Sequence, residues 1–185
     1  ILVYIILIVM KNRIIIMSLF LNISLGQDVI GEGLHGEELI EFLKANYKTN
    51  TTLGYGVARD VLYFEIERMD GAVKGIYTNF SVDLPDGVDP STHLWENGIN
   101  CEHVWPQSMY VGEEPTRSDM HALRPCKDNV NSARGNKPFN DIIDSQTTTW
   151  YWQNSQTSDM PSSNIDEYSE NHGSYFEPRE DRKGD

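Results

Sequence analysis

Residues 100 to 108 read NCEHVWPQS, and they place an acid, Glu102, beside an imidazole, His103, just ahead of a Trp-Pro pair. On an extended strand, neighbouring side chains leave on opposite faces. Glu102 and His103 can therefore serve one site only where the chain bends. A strand end running into Trp105–Pro106 allows that bend, because proline has no N–H to give to a sheet ladder. Two more dense stretches follow, SDMHALRP from Ser118 and VNSARGNKPF from Val130.

The chain has 185 residues, of which 39% are hydrophobic, with 14 glycines and 8 prolines. That is enough apolar material for one ordinary core, and it excludes a disordered or low-complexity chain. The N-terminus reads differently from the rest. From Met10 it offers a basic stretch (Lys11, Arg13), an apolar run (Ile14 to Leu21) and a small-residue exit at Ser24 and Gly26. That pattern is a secretory signal peptide, so we expect residues 1–26 to be a signal with an upstream extension and residues 27–185 to be the mature domain. The alternative is a single membrane-anchoring helix interrupted by Lys-Asn-Arg, although neither apolar half reaches the ~20 residues a span needs. Export implies a secreted or periplasmic protein with no stable membrane association after signal removal. In such a compartment Cys101 and Cys126 form one disulfide or remain buried thiols.

The net charge of −13 argues against a protein coated with nucleic-acid-binding cations. The charge is uneven, however. Residues 26–100 carry −8 and residues 141–185 carry −7, whereas residues 101–140 are neutral and hold Arg117, Arg124, Lys127, Arg134 and Lys137. The dense motifs thus fall where an anion is least repelled.

Periodicity supplies the elements. GEELIEFLKANY from Gly36 spaces Leu39, Ile40, Leu43 and Tyr47 for a helix. GYGVARDVLYFEIE puts Val57, Val61, Leu62 and Ile66 on one side of a second helix. AVKGIYTNFSVDL alternates as strand, LPDGVDP is a loop, TTTWYWQ is a short strand, and the tail from Asn154 reads as polar loop. The class is α+β.

A carboxylate and an amide carbonyl are hard oxygen ligands suited to Mg²⁺ or Ca²⁺. A neighbouring imidazole can take a proton from water at neutral pH. Together they form a hydrolytic set for a phosphodiester.

The three dense motifs, in this order, resemble the endonuclease I family of secreted and periplasmic non-specific nucleases, which carry a ββα-metal (His-Me finger) site. GYGVARDVLYFEI upstream and FEPREDRKGD at the end fit as well, so the resemblance runs from about Leu53 to Asp185. It implies mixed helices and short strands around that finger, with His103 as general base and Glu102 and Asn131 as metal ligands. It further implies Mg²⁺, with Ca²⁺ or Mn²⁺ as alternatives, and cleavage of DNA and RNA to leave a 5′-phosphate. Members of the family usually continue past Lys-Gly-Asp into an apolar helix, so we expect this sequence to be truncated there, and to act as a monomer. Arg134, one turn beyond Asn131 at i+3, is placed to contact phosphate.

Plainer readings stand beside these. Asn131, Ser118 and Asp119 suit caps and turns, His121 suits packing, Gly135 and Asn136 suit a helix end, and Trp105, Trp150 and Trp152 suit a core or stacking on bases. Asn50 and Asn79 head glycosylation sequons. A different class of function is a binding module with a structural zinc held by Cys101, His103, His121 and Cys126.

Overall fold

The computed structural model describes residues 4–10, 13–19, 29–48, 51–109 and 112–184. The chain divides into two compact units, Ile1–Lys48 and Thr49–Asp185. In the first, β1 (Tyr4–Met10) pairs antiparallel with β2 (Arg13–Leu19), and α1 (Gly36–Tyr47) matches the predicted helix with Glu37 and Glu38 in its first turn, where the helix dipole favours acids. No residue of α1 is buried. Among the described residues no helix is long and apolar enough to cross a membrane. The expected signal exit at Ser24 and Gly26 and the sequon at Asn50 lie outside the described residues.

The second unit opens with α2 (Tyr55–Val61), which runs into a π-helical turn, Leu62–Ile66. The helix is where the periodicity put it, but its buried face is Ala58, Leu62 and Tyr63, while Val57 and Ile66 are each 54% exposed. Two physical reasons explain the rotated face. Alanine lets the helix approach its neighbours closely, and the wider π turn moves Tyr63 inward where an α-helical spacing would place Ile66.

The hairpin β3 (Ala72–Lys74) and β4 (Ser81–Asp83) pairs Val73 with Val82. Downstream, the loop expected through Asp89 and Pro90 instead starts a short helix, α3 (Pro90–Glu96). The Asp89 carboxylate accepts the Thr92 N–H at 2.7 Å, and proline occupies the first turn, the pairing that stabilises a helix start.

Next come β5 (Ile99–His103) and β6 (Leu123–Lys127), an antiparallel ribbon that pairs Glu102 with Arg124 and His103 with Leu123. Helix α4 (Asp128–Arg134) follows β6 without a gap and ends at Gly135, whose φ of 53° suits glycine. One face of the ribbon packs on a core of Ala58, Leu62, Val73, Leu94, Ile99 and Leu123. The other packs with Tyr77, Cys126, Val130, Tyr151 and Phe176.

The predicted strand at TTTWYWQ is β7 (Thr149–Trp152). The tail beyond it is not loop alone: β8 (Ser155–Thr157), β9 (Ser169–Asn171) and β10 (Phe176–Glu177) complete a sheet in the order β10-β9-β7-β8. These strands are two or three residues long and, Phe176 apart, polar, too short for a period-2 pattern to register. Trp150 is core, as expected, whereas Trp105 is 60% exposed. Helices and small antiparallel sheets make the protein α+β.

Candidate active site

The ribbon and α4 form a strand–strand–helix unit, and strand alternation sorts its functional side chains. Asn100 and Glu102 lie toward α4 and Tyr77, whereas Cys101 and His103 lie toward α2.

On the helix side, Glu102 is only 3% exposed. Its Oε1 accepts the Tyr77 hydroxyl at 2.8 Å and meets Arg134 Nη1 at 2.9 Å. Burial pushes the Glu102 carboxyl up to about 7, against the pull of the Arg134 guanidinium, the Tyr77 hydroxyl and the His103 N–H. Asn131, on α4, donates its amide to Asn100 Oδ1 at 2.7 Å and to the Cys101 carbonyl at 3.2 Å. With both amide hydrogens directed at the strand, the amide cannot flip without loss, and Oδ1 is the end left to accept. A carboxylate oxygen and an amide oxygen on the same side of the ribbon fit a hard divalent cation, which would also restore the charge that burial disfavours on Glu102.

Arg134 does not reach for solvent. It is 2% exposed; besides Glu102, its Nη1 donates to the His103 carbonyl at 3.1 Å and its Nη2 to the Val104 carbonyl at 2.7 Å. Its guanidinium sits 4.6 Å from the centre of the Phe139 ring. A side chain so enclosed ties α4 to the end of β5, and the phosphate contact read from its i+3 spacing is not its geometry here.

On the other side, His103 is 6% exposed. Its Nε2 is 3.1 Å from the Arg117 carbonyl, which can only accept, so Nε2 carries the proton and Nδ1 keeps its lone pair. The Gln107 amide nitrogen lies 3.0 Å from Nδ1, and the Tyr55 ring packs at 5.3 Å. Burial, joined by the nearby Arg117 charge, holds the His103 pKa below its usual value, against the hydrogen bond to the Arg117 carbonyl. A neutral imidazole with an unprotonated nitrogen can take a proton once the Gln107 amide gives way to a water. The chain does bend after His103: β5 ends, Val104 N–H donates to the Ala122 carbonyl, and a 3₁₀ turn starts at Gln107.

The remaining sequence-derived candidates separate. The zinc quartet does not assemble: the His121 side chain is 99% exposed and pairs with Asp119 at 2.9 Å, Cys126 is fully buried, and among the described residues no three His, Cys, Asp or Glu side chains gather to hold a metal. Cys101 and Cys126 are both free. Cys126 pairs with Asn100 and Cys101 with Pro125, so the two thiols stand on opposite faces of the ribbon. Asp119 makes a turn, accepting the His121 N–H at 3.0 Å. Of the five cations in the neutral segment, Arg124, Lys127, Arg134 and Lys137 all donate to protein oxygens. Arg117 instead lies over Tyr55. Sequence reasoning missed two features of this site, Tyr77 as the partner of Glu102 and the Arg117 carbonyl as the orienter of His103. Neither signals itself, since one is a tyrosine in a strand-like run and the other is a backbone atom.

These features define an α+β domain with a buried acid, an oriented imidazole and an amide oxygen left to accept, on β5 and the helix beside it. The sequence model of endonuclease I matches residues 38–185. The chain belongs to the endonuclease I family and is a nuclease, a hydrolase acting on nucleic acid, in a family that generally depends on metal. The match begins ahead of Leu53, where the motif resemblance started. No curated protein and no solved structure matches the chain.

Proposed function

We propose that the protein is an exported, divalent-metal-dependent endonuclease that cuts DNA and RNA with little sequence preference. The strand–strand–helix unit is its ββα-metal finger. Glu102 and Asn131 hold the cation, Mg²⁺ by preference with Ca²⁺ or Mn²⁺ as substitutes, and His103 is the general base. The single observation that carries this reading is the orientation of His103, whose Nε2 is engaged by the Arg117 carbonyl while Nδ1 keeps its lone pair.

His103 Nδ1 takes a proton from a water as the water oxygen bonds to phosphorus. The P–O3′ bond breaks, leaving a 5′-phosphate and a 3′-hydroxyl that gains its proton from solvent. A bound divalent cation supplies charge stabilisation for the non-bridging and leaving oxygens. Arg134 and Tyr77 hold Glu102 in place, so Arg134 is a positioning residue rather than a phosphate ligand. Gln107 must yield Nδ1 for water to enter. A site that grips the backbone carries no sequence information, which supports the lack of base preference. The basic and apolar run from Met10 to Gly26 supports export, and the chain is expected to work as a monomer.

The test is nicking of supercoiled plasmid by the full chain in Mg²⁺, in EDTA, and with His103→Ala in Mg²⁺. Nicking in the first and loss in the other two is the expected result. Intact plasmid and RNA in every metal, from a protein folded by circular dichroism, would remove the reading.

A further inference from the structure

Tyr55, at the start of α2, carries two guanidinium groups on its ring. Arg59 Cζ lies 4.8 Å and Arg117 Cζ 4.7 Å from the ring centre, and the same ring packs against His103. Neither arginine makes an ion pair among the described residues. The acids beside them are committed elsewhere. Asp60 Oδ1 accepts the Ser91 N–H at 3.2 Å and the Ser91 hydroxyl at 2.5 Å, and Glu114 accepts Thr52 at 3.0 Å and Ser118 at 2.5 Å. Arg59 Nε is enclosed with no hydrogen-bond partner, so this guanidinium keeps donor capacity that the protein itself does not use.

In a chain with 28 acidic and 15 basic side chains, two like charges on one ring, which Asp89 and Glu114 attract from nearby without closing an ion pair, leave room for an anion between or beside them. Guanidinium is the group whose planar donors match phosphate oxygens. The backbone of Arg117 also holds His103, so a phosphate on its side chain is registered to the base.

We infer that Arg59 and Arg117 form a clamp for a backbone phosphate of the nucleic acid next to the scissile bond. The inference rests on the nuclease reading of His103. Arg59 comes from α2 and Arg117 from the 3₁₀ turn Thr116–Ser118, so the clamp exists only in the folded chain.

The experiment is binding of a fluorescent DNA duplex by the full chain in EDTA, read by anisotropy from about 50 to 200 mM KCl. Each phosphate contact contributes about 0.9 to the slope of log affinity against log salt. Arg59→Gln and Arg117→Gln should each weaken low-salt binding about three- to tenfold and reduce the slope by about 0.9, and the double variant should lose about twice that. Arg59→Lys and Arg117→Lys, which keep the charge, should keep the slope and lose roughly threefold in affinity. Arg68→Gln, which removes a cation paired with Asp86, should leave the slope unchanged. A double variant with native circular dichroism and an unchanged slope overturns the clamp, leaving both arginines to pack Tyr55. Plasmid nicking by the wild-type chain in Mg²⁺ is run in parallel. Nicking without a slope change removes the clamp and keeps the nuclease mechanism; a slope change without nicking keeps the clamp and removes the mechanism.

Discussion

The two faces of the β5–β6 ribbon do different work with adjacent residues. Toward α4, Glu102 is locked by Tyr77 and Arg134 in a site with almost no exposure. Toward α2, His103 is oriented by the Arg117 carbonyl at Nε2 and the Gln107 amide at Nδ1, while cations lie on the neighbouring Tyr55. The difference teaches how a strand can use alternation rather than fight it. On the proposed reading, a metal ligand and a base need not share a face, because the strand ends and the chain bends directly after them. Two protein groups fix the Glu102 carboxylate, whereas the His103 Nδ1 lone pair faces only the Gln107 amide, a single contact that a water can replace.

The comparison can be broken most severely at the base. His103→Ala should lower plasmid-nicking kcat about 10²- to 10⁴-fold with little change in thermal midpoint, whereas equal loss of folding would mean the imidazole is structural. Arg134→Met tests the opposite face. Removing one partner of a buried pair strands the Glu102 charge and two carbonyls, a cost of about 3–5 kcal/mol in urea unfolding, and an effect below ~1 kcal/mol would show that Arg134 is not the tie between α4 and β5. Tyr77→Phe removes a donor to the same carboxylate and should cost roughly 1.5–3 kcal/mol, with weaker Mg²⁺ protection against thermal unfolding.

A carboxyl away from the ribbon sharpens the contrast by pH. Burial, then the charges of Glu177 and Asp144, push Glu170 up to about 7 from its ordinary 4.5, although Thr147 donates to it. Its folded value is raised, so the neutral form is the one the fold favours. The stability it gives is complete below pH 4.5, falls as pH rises to about 7, and is flat above. Glu170→Gln should reduce the fall of the urea midpoint across that window in EDTA, with the buried Glu102 supplying the part that remains, and should leave the His103 surroundings untouched; an unchanged profile would mean Glu170 is not raised.

The smallest effect belongs to the thiols. Dithiothreitol should leave the thermal midpoint unchanged to about a degree, because Cys101 and Cys126 occupy opposite faces; a fall of several degrees would reveal a disulfide.

What could be read before folding was whatever local chemistry enforces. The α1 and α2 helices, the β7 strand and the Gly135 helix end follow from periodicity and backbone preference. The order of three motifs identified the family. Helix α3 was legible in principle, since Asp89 and Pro90 are cap and first-turn residues, although the same Pro, Gly and Asp cluster also spells a loop. The short strands β8 to β10 were not legible, because two or three residues have no period and the β9 partners in β7 lie about 20 positions away.

The sequence by itself determined which residue types could do hydrolysis and that Glu102 and His103 must face apart until the chain bends. Only the tertiary structure decided what each one touches. It turned Arg134 inward onto Glu102, aimed the Arg117 carbonyl at His103, separated the four zinc candidates and set two arginines on Tyr55. The reason is the range of the interactions. Strand alternation and helix spacing act within a few residues, whereas hydrogen-bond partners and burial are settled by segments that meet only when the ribbon, α2 and α4 pack together.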